Sequence, residues 1–128
     1  MKKQIIKSFK KLLPKEIVLL NAPLKNYCSF KIGGEASVML FPRDLEEIIK
    51  IITICEEHEV VPFVMGKGTN LLIDDDGYEG VIINLKGWFE KVAVKGECVL
   101  AGGGAALSKL IAVAHALVFR EVWAVRCL

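Results

Sequence analysis

The sequence predicts an α+β chain in two lobes, a βαββ lobe followed by the start of an antiparallel-sheet-plus-helix lobe. Three observations predict it. A broad apolar helical stripe stands between two β-rich runs at residues 37–41 and 60–65, which makes a β-α-β unit. From Gly87 the texture changes to alternation around Lys95-Gly96-Glu97, as in a hairpin. A glycine run then opens a second helix with one apolar face. The parts divide as a basic N-terminal helix and linker over 1–19, the first lobe over 20–86, and a second lobe begun at 87 and cut short at 128. With 53% apolar and 25% charged residues, the 128-residue chain can build a core, which excludes a disordered or collagen-like design.

Each element has a local reason. Ile5, Ile6, Phe9, Leu12 and Leu13 fall on one helical face, so the lysine-rich start reads as a short helix docked on its own domain rather than on a membrane surface. Pro14 closes it, and Asn21-Ala22-Pro23 reads as a loop. Ser37 to Phe41 is a strand ended by Pro42. Asp44 is an N-cap with Glu47 three residues later, as in a capping box. Leu45, Ile48, Ile49, Ile52 and Cys55 form the stripe of the helix behind it, widened by Ile51 and Ile54. Val60 to Met65 is the next strand. Leu71-Leu72-Ile73 is a short strand, Asp76-Gly77 a turn, and Val81 to Leu85 another strand. Phe89 to Val94 and Cys98 to Ala101 make the hairpin. Gly102-Gly103-Gly104 leads into a helix with Leu107, Leu110, Ile111, Ala114, Leu117 and Val118 on one face.

Charge and cysteine usage narrow the function class. Residues 1–15 hold six lysines and no acid, while the rest carries a net −4. A basic arm on a mildly acidic body is not the footprint of a nucleic-acid binder. No signal-peptide core follows the first lysines, and the run Leu110 to Phe119 is too short to span a bilayer, so no membrane partner is expected. Cys28, Cys55, Cys98 and Cys127 are widely spaced with no C-x-x-C, which favours reduced thiols and a cytoplasmic location. Neither His58 nor His115 stands at zinc-ligand spacing from a thiol, and Asp74-Asp75-Asp76 before Gly77 reads as a turn, so no metal is expected. Ser108 reads as a helix-start residue, and no hydrolase motif is present.

The chemistry centres on Gly66-Lys67-Gly68-Thr69-Asn70, at the carboxyl end of a strand, where open α/β sheets bind phosphates. Two glycines let successive N–H groups turn toward one point as an anion nest. Thr69 and Asn70 can add side-chain hydrogen bonds, and Lys67 adds charge. The P-loop pattern is absent, and the dinucleotide fingerprint fails at its third glycine, which here is Leu71. The loop leads into a short strand rather than a helix, so any anion is held by backbone amides without a helix dipole. A plain glycine hairpin is the alternative. Gly102 to Gly104 has two readings as well, a second phosphate site or a hairpin-to-helix turn.

Three blocks, Tyr27-Cys28-Ser29-Phe30-Lys31-Ile32-Gly33-Gly34, Val64-Met65-Gly66-Lys67-Gly68-Thr69-Asn70-Leu71-Leu72 and Asp76-Gly77-Tyr78-Glu79-Gly80-Val81-Ile82-Ile83, occur in order. Together they resemble the amino-terminal part of the UDP-N-acetylenolpyruvoylglucosamine reductase family, flavoproteins of bacterial peptidoglycan precursor synthesis with a vanillyl-alcohol-oxidase-type FAD fold. Ala101 to Leu110 is similar to that family's next glycine-led helix. The resemblance implies FAD as cofactor and NADPH as its reductant. It implies hydride delivery to the enolpyruvyl group of a UDP-sugar, with protonation by a serine. The implied cofactor-binding residues are Val64, Met65, Gly66, Lys67, Gly68, Thr69, Asn70, Leu71 and Leu72, with Gly102 and Gly103 secondary. The family's later FAD segment, arginine, serine acid and glutamate have no counterpart here, and Glu121 to Leu128 matches nothing in it. The expectation is therefore a carboxy-terminally truncated, FAD-binding chain without a catalytic residue. Its UDP-sugar partner would belong to a full-length chain, and it would self-associate through apolar surface left by truncation. The alternatives are a non-catalytic nucleotide-binding module and a flavin subunit of another oxidoreductase of the same superfamily. The Ser29 to Gly34 block argues against the last.

Overall fold

A computed structural model describes residues 3–28, 31, 33–67, 74–96 and 98–116. Ile5, Phe9 and Leu13 recur at a helical turn's spacing, and helix α1 (Lys3–Leu12) with the residue after it buries all three. Its lysines at 3, 7, 10 and 11 face solvent. The apolar face packs on the domain, beside helix α2 (Leu45–Glu57), where Ser8 Oγ and His58 Nε2 lie 3.0 Å apart.

Four strands form the first sheet in the order β1-β2-β4-β3. They are β1 (Val18–Pro23), β2 (Glu35–Leu40), β3 (Phe63–Met65) and β4 (Tyr78–Asn84). β1 runs antiparallel to β2, whereas β2 and β3 both run parallel to the central β4. The presence of β1 corrects the reading of Asn21-Ala22-Pro23 as a loop. Asn21 does take a left-handed φ of 49° and drops out of the pairing register, but Ala22 pairs with Ala36 and Pro23 with Glu35. On an edge strand a proline at the last position costs no ladder bond, so the turn signal marks a kink rather than an end.

The other boundaries move for similar reasons. β3 is shorter than the run 60–65, because Pro62 lacks a donor and the Val60 N–H is spent on the Cys55 carbonyl at 2.9 Å. β4 begins three residues before Val81 and stops before Leu85, whose N–H still bonds the Met65 carbonyl at 2.9 Å. The expected short strand at 71–73 lies outside the described residues.

On α2, Glu47, Ile51, Ile54 and Cys55 are buried, while Leu45, Ile49 and Ile52 are exposed. That corrects the predicted stripe: apolar residues surround most of this helix, and one sheet can cover a single face of it. Val38, Leu40, Val81 and Ile83 meet α1 and α2 on that side of the sheet. Met39, Met65 and Ile82 point to the other side, with Ala22, Leu24, Ala36 and Cys28. Ala36 and Met39 join the same cluster, and the β2–β4 register slips between Ala36 and Val38 where β4 carries one extra residue.

After β4 a 3-10 turn (Gly87–Glu90) takes the first two residues of the strand predicted from Phe89, since Gly87 at φ 83° starts a turn that carries Phe89 into a buried position. The hairpin follows as β5 (Val92–Lys95) and β6 (Cys98–Ala101), with Gly96 at φ 61° in its turn. Helix α3 (Leu107–Ala116) packs on this hairpin through Leu110 and Ala114, leaving Leu107 and Ile111 exposed; Leu117 and Val118 lie outside the described residues. Among the described residues no helix is long and apolar enough to cross a membrane.

Candidate functional site

Parallel pairing of β3 with β4 brings Met65 opposite Asn84, so both strands end at one level. The chain leaves β3 through Gly66 and Lys67 and leaves β4 through Leu85 and Lys86. The segment 24–28 walls the same end from below. Its anchors are the Leu24 N–H on the Gly34 carbonyl at 3.0 Å and Tyr27 against Phe41 at 5.7 Å between ring centres. Gly34 in turn meets the turn before β4: its N–H bonds the Asp74 carbonyl at 3.0 Å, and a Cβ there would strike the Asp75 and Gly77 backbone. This is why the glycines near 34 and 77 occur together in the sequence blocks.

The second lobe closes on this end through its glycine run. A Cβ on Gly104 would collide with the Leu85 carbonyl, one on Gly102 with the Phe89 carbonyl, and one on Gly66 would stand 3.0 Å from the Gly103 carbonyl. The Gly102 N–H is bonded to the Lys91 carbonyl and the Gly104 N–H to the Phe89 carbonyl, each at 2.9 Å. The run is therefore a close-packing joint whose amides at 102 and 104 are already engaged.

Between these walls lies a cavity of about 240 Å³, lined by Asn26, Tyr27, Cys28, Gly66, Lys67, Asn84, Lys86 and Glu90. Asn84 is 3% exposed. Its amide nitrogen reaches the Met39 sulfur at 3.8 Å, and its Oδ1 has no hydrogen-bond partner among the described residues. A buried acceptor left bare costs about 1–3 kcal/mol, so a donor reaching this oxygen would be stabilised there. Lys67 is ion-paired with Glu90. Hydrogen bonds from Lys67, then from the Gly87 N–H, hold the Glu90 carboxyl below the usual carboxylate range. Burial pushes the Cys28 thiol up, which disfavours the thiolate a nucleophile would need. The cysteines Cys28, Cys55 and Cys98 are free.

Of the residues singled out from sequence, Gly66 and Lys67 line the cavity, Met65 is buried in the core beside Met39 and Ile82, and Val64 is exposed on β3. Gly68, Thr69, Asn70, Leu71 and Leu72 lie outside the described residues. Gly102 is buried and Gly103 exposed, both at the joint. His115, Ser108 and Asp74 to Asp76 are exposed, and among the described residues no group of three or more His, Cys, Asp or Glu could hold a metal ion. Sequence reasoning passed over Asn84, Lys86 and Glu90. The signal for Asn84 was present, one amide in the apolar run Val81-Ile82-Ile83-Asn84-Leu85. Lys86 and Glu90 look like ordinary surface charges until the fold brings them together.

These features suit part of a dinucleotide: two lysines for a diphosphate, a glycine where backbone comes close, and a buried acceptor for a ligand donor. The family model described as a FAD binding domain matches residues 36–123. The chain is 38% identical over 104 residues to the UDP-N-acetylenolpyruvoylglucosamine reductase of Alkaliphilus oremlandii, covering 81% of this chain and 34% of that protein. The same enzyme of Chloroherpeton thalassium is 41% identical over 93 residues, covering 73% of this chain and 30% of that one. For Bacillus subtilis the figures are 37% over 93 residues, 73% and 31%. The chain thus spans about a third of the length of these relatives. Among solved structures, two crystal forms of alkyldihydroxyacetonephosphate synthase superpose on it. Their TM-scores are 0.58 and 0.51 at 15% and 16% identity, covering 91% and 75% of this chain and 25% and 22% of theirs. The α+β fold is therefore that of FAD-binding domains, and this chain belongs to the FAD-binding domain family, with its near relatives among UDP-N-acetylenolpyruvoylglucosamine reductases.

Proposed function

We propose that the chain binds FAD at the end of β3 and β4, as the cofactor-holding portion of an NADPH-dependent cytoplasmic reductase acting on an enolpyruvyl UDP-sugar. The observation that carries the reading is the buried Oδ1 of Asn84, without a partner among the described residues, in a cavity that also presents Lys67 and Lys86. The cavity is smaller than the roughly 300–1,000 Å³ of whole-ligand sites, so it suits one portion of the cofactor. Lys67 and Lys86 would face its diphosphate, and Gly66 would let the backbone approach. Asn84 would accept a hydrogen bond from a ligand N–H or O–H group. When bound, the flavin supplies hydride transfer. The residues of this chain contribute binding and orientation, and none of them is assigned the proton-transfer role of the reaction.

Titration with FAD, followed by flavin fluorescence and thermal unfolding, tests this. Ligand at a hundredfold excess over Kd should add about 2.7 kcal/mol of stability. A chain whose unfolding is indifferent to FAD would overturn the reading. Asn84→Leu should weaken FAD binding by about five- to thirtyfold, for a hydrogen bond of about 1–2 kcal/mol. The same variant should leave the free chain as stable as before or more so, because a bare acceptor has been replaced by an apolar group of similar size.

A further inference from the structure

Lys67 follows Gly66 at the end of β3, and Glu90 closes the 3-10 turn that leads into the second sheet. Their ion pair therefore spans the cavity from one lobe to the other, and both residues line it. Glu90 is fixed from its own turn by the Gly87 N–H, and Lys86 adds a second positive charge beside it. The Glu90 carboxylate thus occupies, among Lys67 and Lys86, the place an entering anion would need.

We propose that Glu90 is an internal stand-in for the ligand diphosphate: it holds Lys67 in the empty site and gives it up when a diphosphate enters, setting an electrostatic threshold on binding. This rests on the proposed FAD binding and adds to it a regulation of the same site. The physical argument is competition. Lys67 cannot serve both anions fully, so a diphosphate must displace the Glu90 carboxylate from it. The side chains of Lys67 and Glu90 are 42% and 28% exposed, so the pair is screened by water and is weak enough to exchange. An inward-facing pair without solvent would instead act as a fixed tie.

The test is FAD binding to four chains: unaltered, Glu90→Gln, Lys67→Met and the double variant. At low salt Glu90→Gln should tighten FAD binding about three- to tenfold, with the gain shrinking as salt rises through a few hundred millimolar. Lys67→Met should weaken binding, and in its background Glu90→Gln should lose most of its benefit, since the competition is for that lysine. An equal gain in both backgrounds would mean Glu90 acts by general field alone and would overturn the stand-in role. Unchanged or weaker binding in Glu90→Gln, accompanied by a lower melting temperature of the free chain, would show a structural tie and overturn it as well. In both of those cases FAD binding by the unaltered chain keeps the proposed function standing. If neither the unaltered chain nor Glu90→Gln binds FAD, the proposed function fails and the stand-in role falls with it.

Discussion

Glu59 sits at φ 55°, a left-handed conformation that disfavours any residue with a Cβ. It is there because α2 needs a stop. The Val60 N–H reaches back to the Cys55 carbonyl at 2.9 Å and the Glu59 N–H to the Glu56 carbonyl at 3.0 Å, a Schellman arrangement. Val60 then packs on the core. A glycine is the usual residue at that position, so Glu59→Gly should stabilise the chain by about 0.5–1 kcal/mol, read as a higher urea midpoint with an unchanged slope. A lower midpoint would show that the Glu59 side chain does something its surroundings do not reveal. Asn84 is the opposite kind of exception. Its cost is a polar atom without a partner among the described residues rather than a strained backbone, and the binding proposal rests on it.

At the scale of elements, the start of α2 shows how a motif read from sequence can be right in kind and shifted in detail. Asp44 accepts the Glu47 N–H at 2.8 Å, as an N-cap should. Glu47 returns its carboxylate to the Arg43 N–H at 2.7 Å, one residue further out than a capping box, and also takes the Arg43 guanidinium at 2.6 Å. The side-chain hydrogen bond from Arg43, more than the opposing desolvation, holds the Glu47 carboxyl below its ordinary range. The ionised form is thus favoured by folding. That stability is present above the usual carboxylate pKa and is lost as pH falls through the lowered folded value. Glu47→Gln should cost about 0.5–2 kcal/mol at pH 7, and its deficit against the unaltered chain should narrow toward pH 3. Urea unfolding across pH 3 to 7 measures both, and a deficit independent of pH would contradict the assignment.

Across the whole molecule, the join between the two sheets depends on side chains that are missing. Gly104 lies against the Leu85 carbonyl and Gly102 against the Phe89 carbonyl, with no room for a methyl group at either. Gly104→Ala should destabilise by at least about 1–3 kcal/mol, with faster hydrogen exchange in α3 and weaker FAD binding. Full stability with normal exchange would mean that the lobes meet differently. Much of this plan was legible beforehand. The period of Ile5, Phe9 and Leu13, the Asp44 cap and the alternation ending at Ala101 are local patterns, and local patterns specify helices, strands and turns. Gly66 and Lys67 were legible as a candidate pair, and they do line the cavity, because a glycine-flanked loop after a strand has a local chemistry. The sequence by itself determined α1, β2, α2, β3, β4, the hairpin and α3 in their order, and marked the end of β3 as the candidate site. Only the tertiary structure decided that β1 exists as an edge strand, since its pairing partner lies across a loop. It also decided which face of α2 is covered, and that Asn84, Lys86 and Glu90 share one cavity with Lys67. Those facts depend on contacts between residues far apart in the chain, and neither periodicity nor propensity carries information about which distant surfaces will meet.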